Sequence, residues 1–407
     1  MTTRHRGTLL ARTKYLISAA VVLWASAAVA TTSPLRDAVR RAAGPDAIVY
    51  VVDANDQVLV DIAGERGFVP ASTIKLFTAL VALESLGPEY RFETRFFVDG
   101  DELVVRGSGD PFLVSEEIDA IAAVLAPRLQ GRALAGVVID DAHFADVIRV
   151  PGVEASWKAY DAVNAATAVN FNTIGVVRRN GQIFSAEPQT PLTPHALELA
   201  KPLRFANALR FRIGDDPADV RRYAGELFIA KLRQAGVQVG DGVRAGTSSA
   251  TATPLYVHAN SRTLAEVCEA MLASSNNFIA NQVFLAVGAA ALGAPASLEK
   301  SVRFADRYIA ARPDLRGISI VEGSGLAYEN RVTGPAMASL LTRFSPYREL
   351  LKQSHGSHHK TGTLRSVTSL AGYFDSTRHG TVRYALALPG GAHERRWQVV
   401  RTLREGL

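Results

Sequence analysis

The chain has 407 residues, 48% of them hydrophobic and 21% charged, which excludes a disordered chain and allows either an enlarged core or two to three domains. Its formal charge of +6 belongs largely to the first thirty residues, which hold Arg4, Arg6, Arg12 and Lys14 and no acid; without them it is +2, and nucleic acid is not an indicated partner. Cys268 is the only cysteine, so no intramolecular disulfide forms, and within "RTLAEVCEAML" it reads as a small buried apolar residue.

Residues 1–30 have the layout of a cleavable secretory signal: basic residues, the apolar run "YLISAAVVLWASAAVA", then the small residues Ala28-Val29-Ala30. A membrane anchor is the alternative, but the run is short for a span. After the helical stretch "DAVRRAAG", the β-branched segments "AIVYVVDA" and "QVLVDIAG" flank "ND" and predict a hairpin. From Ser72 the period changes to that of an amphipathic helix, with Leu76, Phe77, Leu80, Val81 and Leu83 on its apolar face and "LGPEY" as its stop.

Residues 92–255 read as short strands and loops, among them "FETRFFVDG", "ELVVRGSGDP" and "LAGVVIDD", with helices at "EEIDAIAAVLAPRLQ" and "ADVRRYAGELFIAKLRQAG". This block is expected to be a mostly β inserted domain. From about 261 the pattern is helical, returns to strands at "SVTSLAGYF" and "TVRYALALP", and closes with the helix "ERRWQVVRTLREGL". Strands near both ends with helices between them predict one α/β unit, residues 31–91 and 256–407, closed by its two termini.

Three motifs carry chemistry. In "STIK", Ser72 and Lys75 lie one helical turn apart, so the amine can approach the hydroxyl. A serine needs an adjacent base to act as a nucleophile, and a lysine is that base only when burial or nearby positive charge lowers its pKa. The competing reading is a helix cap, and the sequence allows Ser72 to be both. "SSNN" at Ser275 and Asn277 interrupts a helical pattern at a polar point, either as a proton network facing substrate or as a break between helices. "KTG" at Lys360, Thr361 and Gly362 begins or lies on a strand, where a cation, a hydroxyl and an absent side chain let a substrate carboxylate and its backbone lie close. Each triplet alone means little. The order S-x-x-K, S-x-N, K-T-G after an export signal points to a serine acyl-transfer enzyme. His355, His358 and His359 lack partners at metal-ligand spacing and are expected to be solvated loop residues. "GSGDP" reads as a turn rather than a nucleotide loop.

With "FVPASTIKLFTALVALESLGPEYRFET", "GSGDP", "VVIDDAHF", "SSNNFIANQ", "EGSGLAYENRVT" and "KTGTLRSVTSLAGYF", the chain resembles the class C low-molecular-mass penicillin-binding proteins over about residues 45–390. These are the DacB-type D-alanyl-D-alanine carboxypeptidase/endopeptidases. The resemblance implies a DD-peptidase and serine β-lactamase type of fold, an antiparallel sheet with a helical subdomain and an insert between the first two motifs. It implies a periplasmic enzyme acting on peptidoglycan peptides, inhibited by β-lactams and needing no metal or cofactor. Ser72 would attack, Lys75 would take its proton, and Ser275 would pass a proton to the leaving amine. Asn277 would hold the substrate amide, Lys360 and Thr361 the terminal carboxylate or its network, and the N–H groups of Ser72 and Thr363 the oxyanion. Asp140 would meet the amino group of the stem peptide's diamino acid, or else sit in a solvated turn. Two departures from the family stand out. Glu322 and Ala327 replace an aspartate and a serine in the "EGSGLA" element, and "SHGSHH" stands where the family carries a longer stretch before Lys360. Other readings are a β-lactamase or esterase on the same fold and a cell-wall binding protein that has lost turnover. Peripheral membrane contact and the oligomeric state are left open.

Overall fold

The computed structural model describes residues 34–249 and 251–407, so the expected export signal at residues 1–30 lies outside the described residues. Helix α1 (Pro34–Ala43) leads into strands β1 (Ile48–Val52) and β2 (Val58–Ile62), then a 3-10 turn (Ala71–Ile74) runs directly into α2 (Lys75–Leu86). Next come β3 (Glu93–Asp99), β4 (Glu102–Gly107), α3 (Ser115–Arg128), β5 (Ala133–Asp140), β6 (Thr173–Arg179), β7 (Gln182–Ser185), α4 (Pro194–Ala200), β8 (Ala208–Arg212), α5 (Pro217–Gln234), β9 (Gln238–Ala245) and β10 (Tyr256–Ala259). The chain continues through α6 (Leu264–Ser274), α7 (Asn277–Leu292), α8 (Leu298–Ala310) and α9 (Gly334–Phe344). It ends with β11 (Lys352–Ser354), β12 (Ser357–Leu364), β13 (Val367–Ser376), β14 (Gly380–Pro389) and α10 (His393–Gly406).

The two ends of the described chain meet in one antiparallel six-stranded sheet, ordered β11-β12-β13-β14-β1-β2. Both faces are covered. On one side Val49, Val51, Leu370, Phe374 and Leu386 pack with Val39 of α1 and Val399, Val400 and Leu403 of α10. On the other, Ile48, Ala371 and Tyr373 join a core built from α2, α6, α7 and α9. Burial on both faces is why "SLAGYF" reads as a continuous apolar run rather than an alternating one.

The amphipathic helix expected from Ser72 is not what forms: every residue of α2 from Lys75 to Leu83 is buried. It is enclosed by the sheet and by neighbouring helices, and a helix in that position is apolar all round. Lys75 is the exception in composition, and the site below accounts for it.

Between α2 and α6 lies a five-stranded sheet, β10-β3-β4-β5-β9, whose β4-β5 and β5-β9 pairs are parallel, and a three-stranded antiparallel sheet, β7-β6-β8. Parallel neighbours need crossover connections, supplied here by α3 and by the long excursion that ends with α5. Strands outnumber helices in this block, yet α3 and α5 build its core: Ile118, Ile121, Leu125, Leu227 and Phe228 pack on Phe96, Val105, Val137 and Ile139. Strand β10 pairs with β3, so the return to the helical region comes after Ala259.

Candidate active site

The serine turn is held by what surrounds it. Ala71 has φ +47°, so the chain enters the turn through a left-handed residue. Ser72 does not cap α2, contrary to one reading of the sequence: Pro70 and Ile74 occupy the cap positions and neither makes a capping side-chain bond. Instead the Ser72 hydroxyl lies 3.0 Å from Lys75 Nζ. One turn of helix is enough for that approach, as the S-x-x-K spacing predicted.

Lys75 is fully buried, and its amine meets two further oxygens, Asn277 Oδ1 at 2.8 Å and the Ser324 carbonyl at 2.6 Å. Burial first, and then the Lys360 cation, push the Lys75 pKa well below 10.5, while Glu322 acts in the opposite direction. Both carbonyl oxygens only accept hydrogen bonds. A neutral amine has two N–H groups and one lone pair, so the two carbonyls take its protons and the lone pair is left facing the Ser72 hydroxyl. The geometry suits proton transfer from Ser72 to Lys75.

The second motif sits at a helix junction. Ser275 closes α6 in a left-handed conformation, φ +56°, and Asn276 caps α7 by accepting from the Ile279 N–H at 3.0 Å. The break between helices is present, and it is what turns Ser275 and Asn277 toward the cleft. Asn277 bridges two elements, accepting from Lys75 and donating from Nδ2 to the Tyr160 carbonyl at 3.3 Å.

The third motif lies on β12. Lys360 Nζ donates to Ser275 Oγ at 2.9 Å and to the Thr361 carbonyl at 2.8 Å. Burial first, then the nearby Arg396 guanidinium of α10, lower the Lys360 pKa to about 7. Gly362 answers to the fold as well as to any ligand, because a Cβ there would lie 2.7 Å from the Pro70 carbonyl and 3.0 Å from Ala71 Cβ. Only glycine lets β12 pass this close to the serine turn. Ser72, Ser275, Asn277 and Thr363 line one cleft of about 710 Å³, together with Tyr160, Tyr328 and Arg365.

Asp140 is not among the residues lining that cleft. It is 1% exposed, and its carboxylate is taken up by Arg106 Nε at 2.8 Å and by Ser248 through the backbone N–H at 2.8 Å and the hydroxyl at 2.6 Å. Neither a free substrate acid nor a solvated turn describes it. Its contacts close the end of β5 against the irregular segment after β9. Of the histidines, His355 is exposed in a turn, as expected, whereas His358 is half-buried and His359 buried on β12. "SHGSHH" is a tight β11–β12 hairpin turning at His355 and Gly356, both with positive φ. His355 stacks on Trp397 at 4.1 Å, and buried His359 meets the same ring edge-on at 4.7 Å. Burial drives the His359 pKa down to about 4.

Sequence reasoning missed the residues that enter the cleft from the inserted block, Glu154, Lys158, Tyr160 and Asp161. No local pattern marks them, because a 3-10 turn at Ala159–Asp161 brings them to the site. It also missed the role of the Ser324 carbonyl, although "EGSGLA" had drawn attention to that loop.

A buried lysine beside a serine on a helix-entry turn, facing a second serine and a second lysine across a sheet edge, defines a serine acyl-transfer hydrolase of the penicillin-binding type. The chain belongs to the D-Ala-D-Ala carboxypeptidase 3 (S13) family, whose model matches residues 37–200 and 206–353. It is 24% identical over 402 residues to the D-alanyl-D-alanine carboxypeptidase of Actinomadura sp. strain R39, covering 80% of this chain and 74% of that protein. It is 24% identical over 406 residues to D-alanyl-D-alanine carboxypeptidase DacB of Haemophilus influenzae, covering 82% and 83%. The crystal structure of penicillin binding protein 4 (dacB) from Haemophilus influenzae superposes with a TM-score of 0.75 at 20% identity, over 92% of this chain and 99% of that one. A structure of the same protein complexed with a β-lactam superposes with a TM-score of 0.69 at 20% identity, over 92% and 99%.

Proposed function

We propose that this protein is a serine-type D-alanyl-D-alanine carboxypeptidase and endopeptidase acting on peptidoglycan stem peptides. One observation carries the reading: Lys75 meets two carbonyl acceptors and the Ser72 hydroxyl, which fits a neutral base beside its nucleophile. Ser72 Oγ attacks the carbonyl carbon between the terminal D-alanines as its proton passes to Lys75 Nζ. The developing oxyanion is met by the N–H groups of Ser72 and Thr363; losing one such donor typically costs about 3 to 4 kcal/mol of transition-state stabilisation. The C–N bond then breaks, and the leaving amine takes a proton from Ser275 Oγ, resupplied by Lys360, 2.9 Å away. Asn277 holds the substrate amide, Lys360 and Thr361 the terminal carboxylate, and Gly362 keeps the strand close. Water then hydrolyses the Ser72 ester: its oxygen bonds to the acyl carbon, one of its protons replaces the one Lys360 gave, and Ser72 Oγ leaves with the proton held on Lys75, so both lysines are restored. Asp140 has no part in this scheme, since internal donors occupy its carboxylate.

A β-lactam offers the same carbonyl and would leave an acyl group on Ser72. Residues 1–30 act as the export signal to the periplasm. Residues 31–91 and 260–407 form the DD-peptidase domain and 92–259 the insert, a division supported by the separate apolar core of the insert and by the pairing of β10 with β3, which moves the expected boundary at 255 to the end of β10. Among the described residues no helix is long and apolar enough to cross a membrane.

Labelling with a fluorescent penicillin tests the reading, with Ser72→Ala as control. Acylation of the wild type, its loss in the variant and release of D-alanine from a pentapeptide are the expected results. A folded wild type that no penicillin acylates would refute it.

A further inference from the structure

Glu322 is completely buried and is not among the residues lining the active-site cleft, yet its carboxylate accepts six hydrogen bonds. One oxygen accepts from the Ser324 N–H at 2.7 Å, the Ser324 hydroxyl at 2.6 Å and Asn281 Nδ2 at 3.1 Å. The other accepts from the Gly325 N–H at 2.6 Å, Asn330 Nδ2 at 2.8 Å and the Ala327 N–H at 3.3 Å. Its lone pairs are fully engaged, so it has none with which to activate water.

What those bonds shape is the loop that holds Lys75. Thr78 Oγ1 of α2 donates to the Gly323 carbonyl at 2.7 Å, and the Gly323 N–H donates to Asn281 Oδ1 of α7 at 2.8 Å. Gly325, with φ +87°, lies against the serine turn so closely that a Cβ would fall 2.0 Å from the Ala71 carbonyl. Between these fixed points the Ser324 carbonyl is directed at Lys75 Nζ.

We propose that Glu322 is a positioning residue: its carboxylate wraps the 323–327 loop so that the Ser324 carbonyl holds the Lys75 amine, and its negative charge sets the field at that amine. The inference rests on Lys75 being the base that serves Ser72. Glu322 and Lys360 are the charges facing Lys75 inside the protein, with Arg396 beside Lys360, and Glu154, Lys158, Asp161 and Arg365 lie on the cleft wall. Helices α2 and α7 contribute the neutral Thr78, Asn277 and Asn281. Glu322 thus opposes the two effects that depress the lysine, burial and Lys360.

The test is the pH profile of benzylpenicillin acylation for wild type, Glu322→Gln, Glu322→Asp and Asn330→Ala, each checked for a cooperative melt. In Glu322→Gln the amide N–H₂ faces backbone donors and the charge is gone. The plateau rate is expected to fall about tenfold or more, and the acid limb to move about one pH unit lower, because Lys75 now stays neutral to lower pH. Glu322→Asp restores the charge and returns the limb to its wild-type position. Asn330→Ala, which keeps the charge and removes one donor, lowers the plateau without moving the limb, and it serves if Glu322→Gln does not fold. An unmoved or raised limb in Glu322→Gln, or a shifted limb in Asn330→Ala, overturns the proposal. If the wild type is not acylated at all, the role of Lys75 fails first, and the two failures are told apart.

Discussion

Gly362→Ala tests how closely the third motif is packed against the first. The added methyl would lie 2.2 Å from Ser369 Oγ, 2.7 Å from the Pro70 carbonyl and 3.0 Å from Ala71 Cβ. Ser369 Oγ donates to that same Pro70 carbonyl at 2.6 Å, so the hydroxyl can swing away only by abandoning a buried bond. Pro70 and Ala71 cannot retreat without carrying Ser72 with them. Strand β12 must therefore separate from the turn by about 1 Å to restore ordinary contact. Overpacking of this kind costs about 1–3 kcal/mol, and the loss of the Ser369 bond adds about 1 kcal/mol, so stability should fall by about 2–4 kcal/mol. A misplacement of about 1 Å between reacting groups lowers rate by about 100-fold. Thermal unfolding and the rate of fluorescent penicillin acylation measure the two effects. Gly362→Ala combined with Ser369→Gly, which removes the nearest obstacle, should recover part of the rate. A variant with the wild-type melting temperature and acylation rate would refute the packing argument.

Lys360→Met removes a group whose folded pKa, about 7, lies below its unfolded value of 10.5. Between those values the unfolded chain binds the proton and the folded one does not, so this group makes stability rise with pH over that window; below pH 7 both states hold the proton and the contribution is flat. Melting temperatures taken from pH 6 to 10 should rise more steeply in the wild type than in the variant, and parallel curves would count against the depressed lysine. Asp140→Asn should cost about 2 kcal/mol of stability through the Arg106 and Ser248 contacts, while D-alanine release from a pentapeptide is unchanged; a selective loss of turnover would return Asp140 to the site. Burial alone pushes the Cys268 thiol up to about 12, so a thiol-specific reagent should leave the folded protein unlabelled at pH 8 and label it on unfolding. Rapid labelling of the native protein would contradict that burial.

The three motifs were legible because each is short and its geometry local. S-x-x-K encodes the approach of Ser72 and Lys75 through the helical repeat, and "KTG" before a continuous apolar run marked a strand. Cys268 and the terminal hairpins were legible for the same reason. The cap at Ser72 was not, since helix entry there proceeds through a 3-10 turn whose geometry depends on the left-handed Ala71. Asp140 was misread because its partners, Arg106 and Ser248, are brought to it by sheet pairing across 34 and 108 residues. The cleft residues of the 154–161 segment carry no pattern at all, being delivered by an irregular connection.

The sequence alone therefore determined which side chains could react and that the first two lie within a turn of each other, because neighbours along a helix interact whatever the rest of the chain does. Tertiary structure decided whether they react. Asn277 reaches Lys75 across 202 residues and the Ser324 carbonyl across 249. The burial that keeps both lysines from holding their protons tightly is a property of the packed cores around them. An amine becomes a base when water is excluded and another cation stands nearby, and neither condition is written in a local spacing.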